Sequence, residues 1–200
     1  MADMAESSGS VATGAAVPAE TAPSSPMSSG KVSFGSVPTE LGDVLAAVTA
    51  DGLVATAFTD SPHIRAAIAT RLGLVDVKDT KPAAGVLGQL REYFRGRRRV
   101  FDVAVDWRLM SKAQRRVLGT LYETVPYGKV VTYGELATRS GSGIPARGIG
   151  SIMGSNPIPI VVPCHRVVAG DGLGGFSGGS GVESKRRLLT IEGYLPPGLW

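Results

Sequence analysis

The chain's 200 residues suffice for one or two modest domains with a hydrophobic core, and no stretch reaches the roughly 18 apolar residues of a membrane-spanning helix. One cysteine excludes an intrachain disulfide, and with only two histidines beside it a structural zinc site lacks ligands, so no metal is expected. The net charge of +4 lies wholly in the second half: residues 1–100 hold ten basic and ten acidic side chains, residues 101–200 eleven and seven. A basic half is compatible with a polyanionic partner, although such an excess is common among globular proteins.

Residues 1–36 are rich in Ser, Ala, Gly and Pro and poor in large apolar side chains, so burial there could not offset ordering entropy. They read as a disordered tail without the basic start and apolar run of a secretory signal, which leaves the cytoplasm as the expected compartment. Residues 43–50 and 53–58 are strand-like and flank Asp51-Gly52, a strong hairpin signal. Ser61-Pro62 reads as the N-cap and first position of a helix that Gly73 closes. A second helix is expected over 82–95, with Leu87, Leu90 and Phe94 on one face and Gly96 beyond its end. Residues 100–105 alternate like an edge strand. Together these make an α+β unit over 37–106, a hairpin-based sheet with helices, with no evident chemistry in it. The run 95–99, four arginines in five residues, reads as a solvated turn in preference to a DNA contact.

From 107 to 200 the pattern is mostly helical. Ser111 caps a helix to about 124 with Val117, Leu118, Leu121 and Val125 as its apolar stripe. Pro126-Tyr127-Gly128 is a turn. Short helices over 133–139 and 145–154, joined by a Gly-containing turn, have the outline of a helix-turn-helix, which a plain helical hairpin packed on the core also shares. The second of them carries Ala146-Arg147 at its start, where phosphates bind well.

The segment 156–168 is the most informative. Three prolines in seven residues, Pro157, Pro159 and Pro163, forbid a helix there. Ile160, Val161 and Val162 should be buried, so that Cys164, His165 and Arg166 are delivered at the end of a buried strand. A lone cysteine is often a small core residue, but His and Arg are not buried without partners. A thiol needs a base to become a nucleophile, and an imidazole that serves as one needs a carboxylate to fix its tautomer. Glu192, at the end of a helix over Val182–Ile191, is the preferred carboxylate. Between them, six glycines in the ten residues 170–179 form either a linker or a pocket wall that lets a flat ligand approach, with Phe176 to stack on it.

These residues bear a resemblance. Pro163-Cys164-His165-Arg166-Val167 resembles the active-site signature of the O(6)-alkylguanine-DNA alkyltransferases. Val125-Pro126-Tyr127-Gly128-Lys129-Val130, Thr132-Tyr133-Gly134-Glu135-Leu136-Ala137, Ala146-Arg147-Gly148-Ile149-Gly150 and Asn156-Pro157-Ile158-Pro159-Ile160 are similar to that family's further blocks, in order and spacing. The resemblance is strong over 111–193, looser over 37–106 and absent from the tail. It implies double-stranded DNA carrying alkylated guanine as the partner, rotation of the damaged nucleotide out of the duplex through the minor groove, and irreversible transfer of the alkyl group to Cys164, without a cofactor. A monomer with no obligate protein partner is expected.

The resemblance also implies roles. Cys164, His165 and Glu192 form a thiol–water–imidazole–carboxylate relay. Tyr133 crowds the target phosphate and assists the leaving group, and Asn156 braces the segment before the cysteine. Arg147 takes the place of the rotated base, and Ala146, Gly150, Ser151 and Arg166 join Tyr133 against DNA. Met153, Pro159, Val167, Phe176 and Ser177 line the pocket. Phe176 stands where many relatives carry tyrosine. Two other classes stay open from the residues alone: a non-catalytic helix-turn-helix DNA-binding protein, which needs no Cys-His-Glu relay, and a thiol hydrolase, which needs no Arg147.

Overall fold

The computed structural model describes residues 30–198. Its first unit is a four-stranded sheet of order β3-β2-β1-β4, formed by β1 (Lys31–Thr39), β2 (Gly42–Thr49), β3 (Gly52–Ala57) and the two-residue β4 (Val75–Asp76). β1, β2 and β3 form an antiparallel meander, and β4 joins β1 in parallel. The Asp-Gly turn sits where expected between β2 and β3. Gly52 is required there twice over: its φ is +129°, and a Cβ would lie 2.3 Å from the Ala104 carbonyl oxygen. The start of the sheet corrects the tail boundary. Residues 31–36 lie in β1, because Val32 and Phe34 are buried against one sheet face. The rest of the expected tail, 1–29, falls outside the described residues.

One sheet face, carrying Val32, Phe34, Leu45 and Val54, packs on α1 (Pro62–Leu72) through Ile64, Ile68 and Leu72. Ser61 caps α1 by accepting from the Ile64 N–H, and Gly73 ends it. The opposite face meets α2 (Ala84–Phe94), which follows a single 3-10 turn at Lys81–Ala83. The buried side chains of α2 are Val86, Leu90 and Tyr93, so the expected stripe of Leu87 and Phe94 is rotated toward the margin. Residues 100–105 are not a strand. They run past β3 with one bridge, Leu53 to Val105, and Val100 is 74% exposed, since β3 offers only Leu53 as an anchor there.

The second part is helical: α3 (Lys112–Thr124), α4 (Tyr133–Ser140), α5 (Ala146–Gly154) and α6 (Val182–Ile191), with a small parallel pair of β5 (Val131–Thr132) and β6 (Val167–Val168). Ser111 and Thr132 both head capping boxes, with Gln114 and Glu135 reaching back. The turn 141–145 between α4 and α5 opens with Gly141 in the left-handed region. Val117, Leu118 and Leu121 of α3 share one core with Leu53, Leu90 and Tyr93 of the first unit and with Ile149, Cys164 and Leu188 of the second. No helix among the described residues is long and apolar enough to cross a membrane.

Candidate active site

The approach to Cys164 is a series of tight turns where a strand was expected. Ile160 holds a φ of +76°, and Cys164–Arg166 form a 3-10 turn leading into β6. Prolines at 157, 159 and 163 remove the N–H groups a strand would need, so the segment is held by other means. The Asn156 amide donates to the Val162 carbonyl at 2.8 Å while its oxygen accepts from the Ile158 N–H at 3.0 Å. From the first unit, the Thr56 N–H donates to the Pro157 carbonyl at 3.0 Å, and its hydroxyl to the Pro159 carbonyl at 2.6 Å. The expected burial of Ile160, Val161 and Val162 holds.

Cys164 is 5% exposed and lines a cavity of about 500 Å³ together with Met153, Asn156, Pro159, Phe176 and Ser177. The first unit contributes Leu41, Phe58 and Ile64 to the same cavity. Burial pushes the Cys164 thiol up. The Asn156 side chain, the Lys185 charge and the backbone N–H groups of Cys164 and His165 act in the opposite sense, favouring a thiolate once it forms.

Behind the thiol, His165 is wholly buried, and its Nε2 lies 2.8 Å from Glu192 Oε1. Burial lowers the imidazole pKa, with the Glu192 contact opposing, so the ring is neutral near pH 7. A neutral ring beside a carboxylate places its proton on Nε2, which leaves Nδ1 as a lone-pair acceptor. That Nδ1 has no hydrogen-bond partner among the described residues. Glu192 is the hub of this cluster, at the C-cap of α6. Besides His165 it accepts from Arg166 Nε at 2.9 Å, Arg166 Nη2 at 3.0 Å, the Gly128 N–H at 3.1 Å and the Tyr93 hydroxyl at 2.8 Å. Burial alone would raise the Glu192 carboxyl, but the His165 and Arg166 contacts outweigh it and hold the group well below the usual carboxylate range.

Two expectations fail here. Arg166 is not available to DNA: it is 7% exposed and committed to Glu192 and to the Val125 carbonyl at 2.7 Å, because a buried carboxylate requires a buried cation. The Val167 side chain lies fully in the core next to β5 instead of lining the cavity, and the residue's carbonyl faces Lys185.

Tyr133, on α4, meets Gly150 of α5: a Cβ on Gly150 would be 3.9 Å from the Tyr133 ring. The Tyr133 hydroxyl donates to the Gly175 carbonyl at 3.3 Å, and burial, followed by the nearness of Cys164, raises its pKa. Arg147, Ala146 and Ser151 stand exposed on α5, and none of them lines the cavity at Cys164. Met153, Phe176 and Ser177 also line a second cavity of about 410 Å³ with Tyr133, Gly150 and Gly175. Residues 95–99 form a turn, with Arg98 paired to Glu92 and Arg99 set over the Tyr127 ring.

Sequence reasoning overlooked three residues. Tyr93 lies in a helix assigned no chemistry, 99 positions from its partner Glu192. Lys185 is fully buried, donating to the carbonyls of Val167 at 2.6 Å, Gly175 at 3.2 Å and Leu173, and burial lowers its pKa to about 8. Those bonds make the glycine-rich segment a wall and not a linker. Phe58 packs edge-on against Phe176, with centroids 6.0 Å apart. A lysine between apolar positions of α6 was the one signal legible in sequence; for the other two only the fold brings the partners together.

Residues 112–194 match the family model described as the 6-O-methylguanine DNA methyltransferase DNA-binding domain. The chain is similar to methylated-DNA–protein-cysteine methyltransferases of Mycolicibacterium paratuberculosis (46% identical over 54% of this chain and 64% of that protein), Shigella flexneri (43%, over 62% and 70%) and Methanopyrus kandleri (46%, over 54% and 78%). Among solved structures, the O(6)-methylguanine methyltransferase of Mycobacterium tuberculosis superposes with a TM-score of 0.66 at 33% identity, covering 84% of this chain and 97% of that one. The same organism's protein in complex with DNA covers 81% and 92%, also at 0.66. With the thiol–imidazole–carboxylate cluster in place and relatives aligned along most of their length, the chain belongs to the methylated-DNA–protein-cysteine methyltransferase family.

Proposed function

We propose that the protein repairs double-stranded DNA by moving the alkyl group of O(6)-alkylguanine, and by the same chemistry O(4)-alkylthymine, onto Cys164. The observation that carries this reading is the free thiol of Cys164 on a cavity wall, backed by the His165–Glu192 pair. The damaged atom is out of reach inside a stacked duplex, so the nucleotide rotates out at a cost of a few kcal/mol. Helices α4 and α5 act as a helix-turn-helix in the minor groove. Arg147 fills the space the base leaves, Ala146, Gly150 and Ser151 meet the backbone, and Tyr133 crowds the target phosphate.

In the cavity the thiol proton passes toward His165 Nδ1 through a water, while Glu192 holds the other ring nitrogen and stabilises the imidazolium. The Cys164 sulfur attacks the alkyl carbon, the carbon–oxygen bond breaks, and its electron pair leaves on guanine. The proton given up by the thiol is returned to the released base, with Tyr133 assisting. The thioether has no good leaving group, so each chain acts once, with no cofactor. The protein acts as a single chain in the cytoplasm, where its only cysteine stays reduced.

The test is to incubate the protein with duplex DNA containing O(6)-methylguanine and to weigh the intact chain. A gain of one methyl group per chain, on Cys164 and absent in Cys164→Ala, is expected. An unchanged mass with tight DNA binding would point to a non-catalytic binder, and repeated turnover of an ester or amide to a thiol hydrolase.

A further inference from the structure

The arginine-rich turn after α2 and the groove beside it take no part in alkyl transfer. Arg91, Arg95, Arg97 and Arg99 stand exposed around that turn and have no carboxylate partner among the described residues, whereas Arg98 pairs with Glu92. Next to them Val100, 74% exposed, borders a cavity of about 290 Å³ that is also lined by Phe101, Tyr122, Val125 and Tyr127. This cavity shares no lining residue with the one at Cys164 or with the one beside Tyr133, and none of the residues assigned to duplex DNA under the proposed function borders it. Arg166 reaches it too, but that guanidinium is committed to Glu192 and the Val125 carbonyl. The cation left at the rim is Arg99, held 5.8 Å from the centroid of the Tyr127 ring.

We propose that this cavity and its arginine rim dock an acidic segment of another protein. One large apolar side chain enters among Phe101, Tyr122 and Tyr127, and flanking carboxylates pair with Arg95, Arg97 and Arg99. An aromatic and aliphatic centre edged by arginine is the composition of an interface. A guanidinium fork takes a carboxylate through two parallel N–H bonds, and its weak hydration suits a surface that becomes covered. The wall is preformed: the Tyr127 hydroxyl donates to the Ile191 carbonyl at 2.7 Å, and its ring packs edge-on with Tyr93, so little ordering is needed on binding. A single nucleic-acid strand fits less well. Its bases need an open aromatic face, and Arg99 already lies over that of Tyr127. Its phosphates recur at every nucleotide and would meet the Glu123 carboxylate that borders the cavity, whereas a peptide can set its apolar residue there. Docking leaves the thiol untouched, so it localises the protein without being needed for transfer.

The test titrates the full chain into a fluorescein-labelled peptide of aspartate and glutamate with one central phenylalanine, followed by fluorescence anisotropy. Saturable binding is expected, weakening as salt is raised. Arg97→Glu combined with Arg99→Glu should weaken it about tenfold or more, while the thermal midpoint stays near that of the parent because both side chains are exposed. Replacing the peptide's phenylalanine by alanine should weaken binding to the unaltered protein by about tenfold as well. Amide hydrogen exchange over 99–101 and 122–127 should slow when the peptide is bound. No saturable binding, binding indifferent to the phenylalanine, or binding that survives the double charge reversal would overturn the docking site. Displacement of the peptide by a lower concentration of an equally charged single-stranded oligonucleotide would overturn it in favour of nucleic acid.

Discussion

The hydroxyl of Tyr93 donates to Glu192 Oε1 at 2.8 Å, a bond between α2 of the sheet unit and the end of α6. Tyr93 is fully buried, and three aromatic rings, Phe94, Phe101 and Tyr127, pack around its own. The contact places part of the support for the His165 relay in a unit whose sequence offers no chemistry.

Removing that hydroxyl in Tyr93→Phe leaves the ring packing intact and takes one of five donors from Glu192. The expected loss of stability is about 1–2 kcal/mol, read by urea denaturation, with methyl transfer retained but slowed. A variant as stable as the parent would show that the bond contributes nothing.

Glu192→Gln should be far more harmful, because it strands the buried Arg166 guanidinium. A cost of roughly 3–5 kcal/mol is expected for breaking such a pair from one side. Replacing both partners, in Glu192→Gln with Arg166→Met, should recover part of the stability without recovering repair. Denaturation midpoints and single-turnover assays on the three proteins separate the two effects.

Acidity acts on rate and stability in the same direction. Burial raises the Cys164 pKa, so the thiolate fraction is small at pH 7 and the transfer rate should climb as pH rises toward 9. For stability, the lowered His165 pKa means that below about pH 6.5 the unfolded chain binds a proton the folded one refuses. The lowered Glu192 pKa adds stability above about pH 4.3 that is lost as pH falls through the carboxylate range. Thermal midpoints should therefore decline from pH 7 to pH 4 through His165 and decline further below about pH 4 through Glu192; a profile flat in the first window would contradict the His165 assignment, and one flat in the second the Glu192 assignment.

Lys185 predicts a change at the alkaline end. Its folded pKa of about 8 lies below the usual lysine value near 10.4, so between these the unfolded chain holds more protons and this group makes stability rise with pH. Lys185→Met should remove that contribution. It should also leave the carbonyls of Val167, Leu173 and Gly175 without their donor, loosening the glycine-rich wall. Faster amide hydrogen exchange over 170–179 in the variant would be the sign, and unchanged exchange would refute it.

Arg147→Ala is expected to impair repair in duplex DNA by tenfold or more while sparing reaction with a free alkylated base. Equal losses on both substrates would remove the base-replacing role given to it.

Much of this architecture was legible because local signals agreed with one another. Ser61-Pro62 with Gly73, Ser111 with Gln114, and Asp51-Gly52 each specify an element end through a backbone need that few residues satisfy. Cys164, His165 and Glu192 were readable as a group only through ordered motifs, since 27 positions separate the imidazole from its carboxylate. What stayed hidden was burial decided by distant partners. Arg166 looks like a DNA contact until Glu192 is seen to claim it, and the alternation of residues 100–105 looks like a strand until Leu53 proves to be its single pairing partner. Tyr93 and Phe58 carry no local mark at all, because their importance arises from what the chain folds onto them.

The bonds from Thr56 to Pro157 and Pro159 bear on how the molecule can be divided. A peptide cut from this chain near residue 110 would possess thiol, imidazole, carboxylate and both outward-facing helices, yet the prolines that strip the reactive stretch of its own lattice would leave it without a mould. The sheet is the template on which that stretch is cast, so the reacting half inherits its shape from the half that never touches the reacting bond.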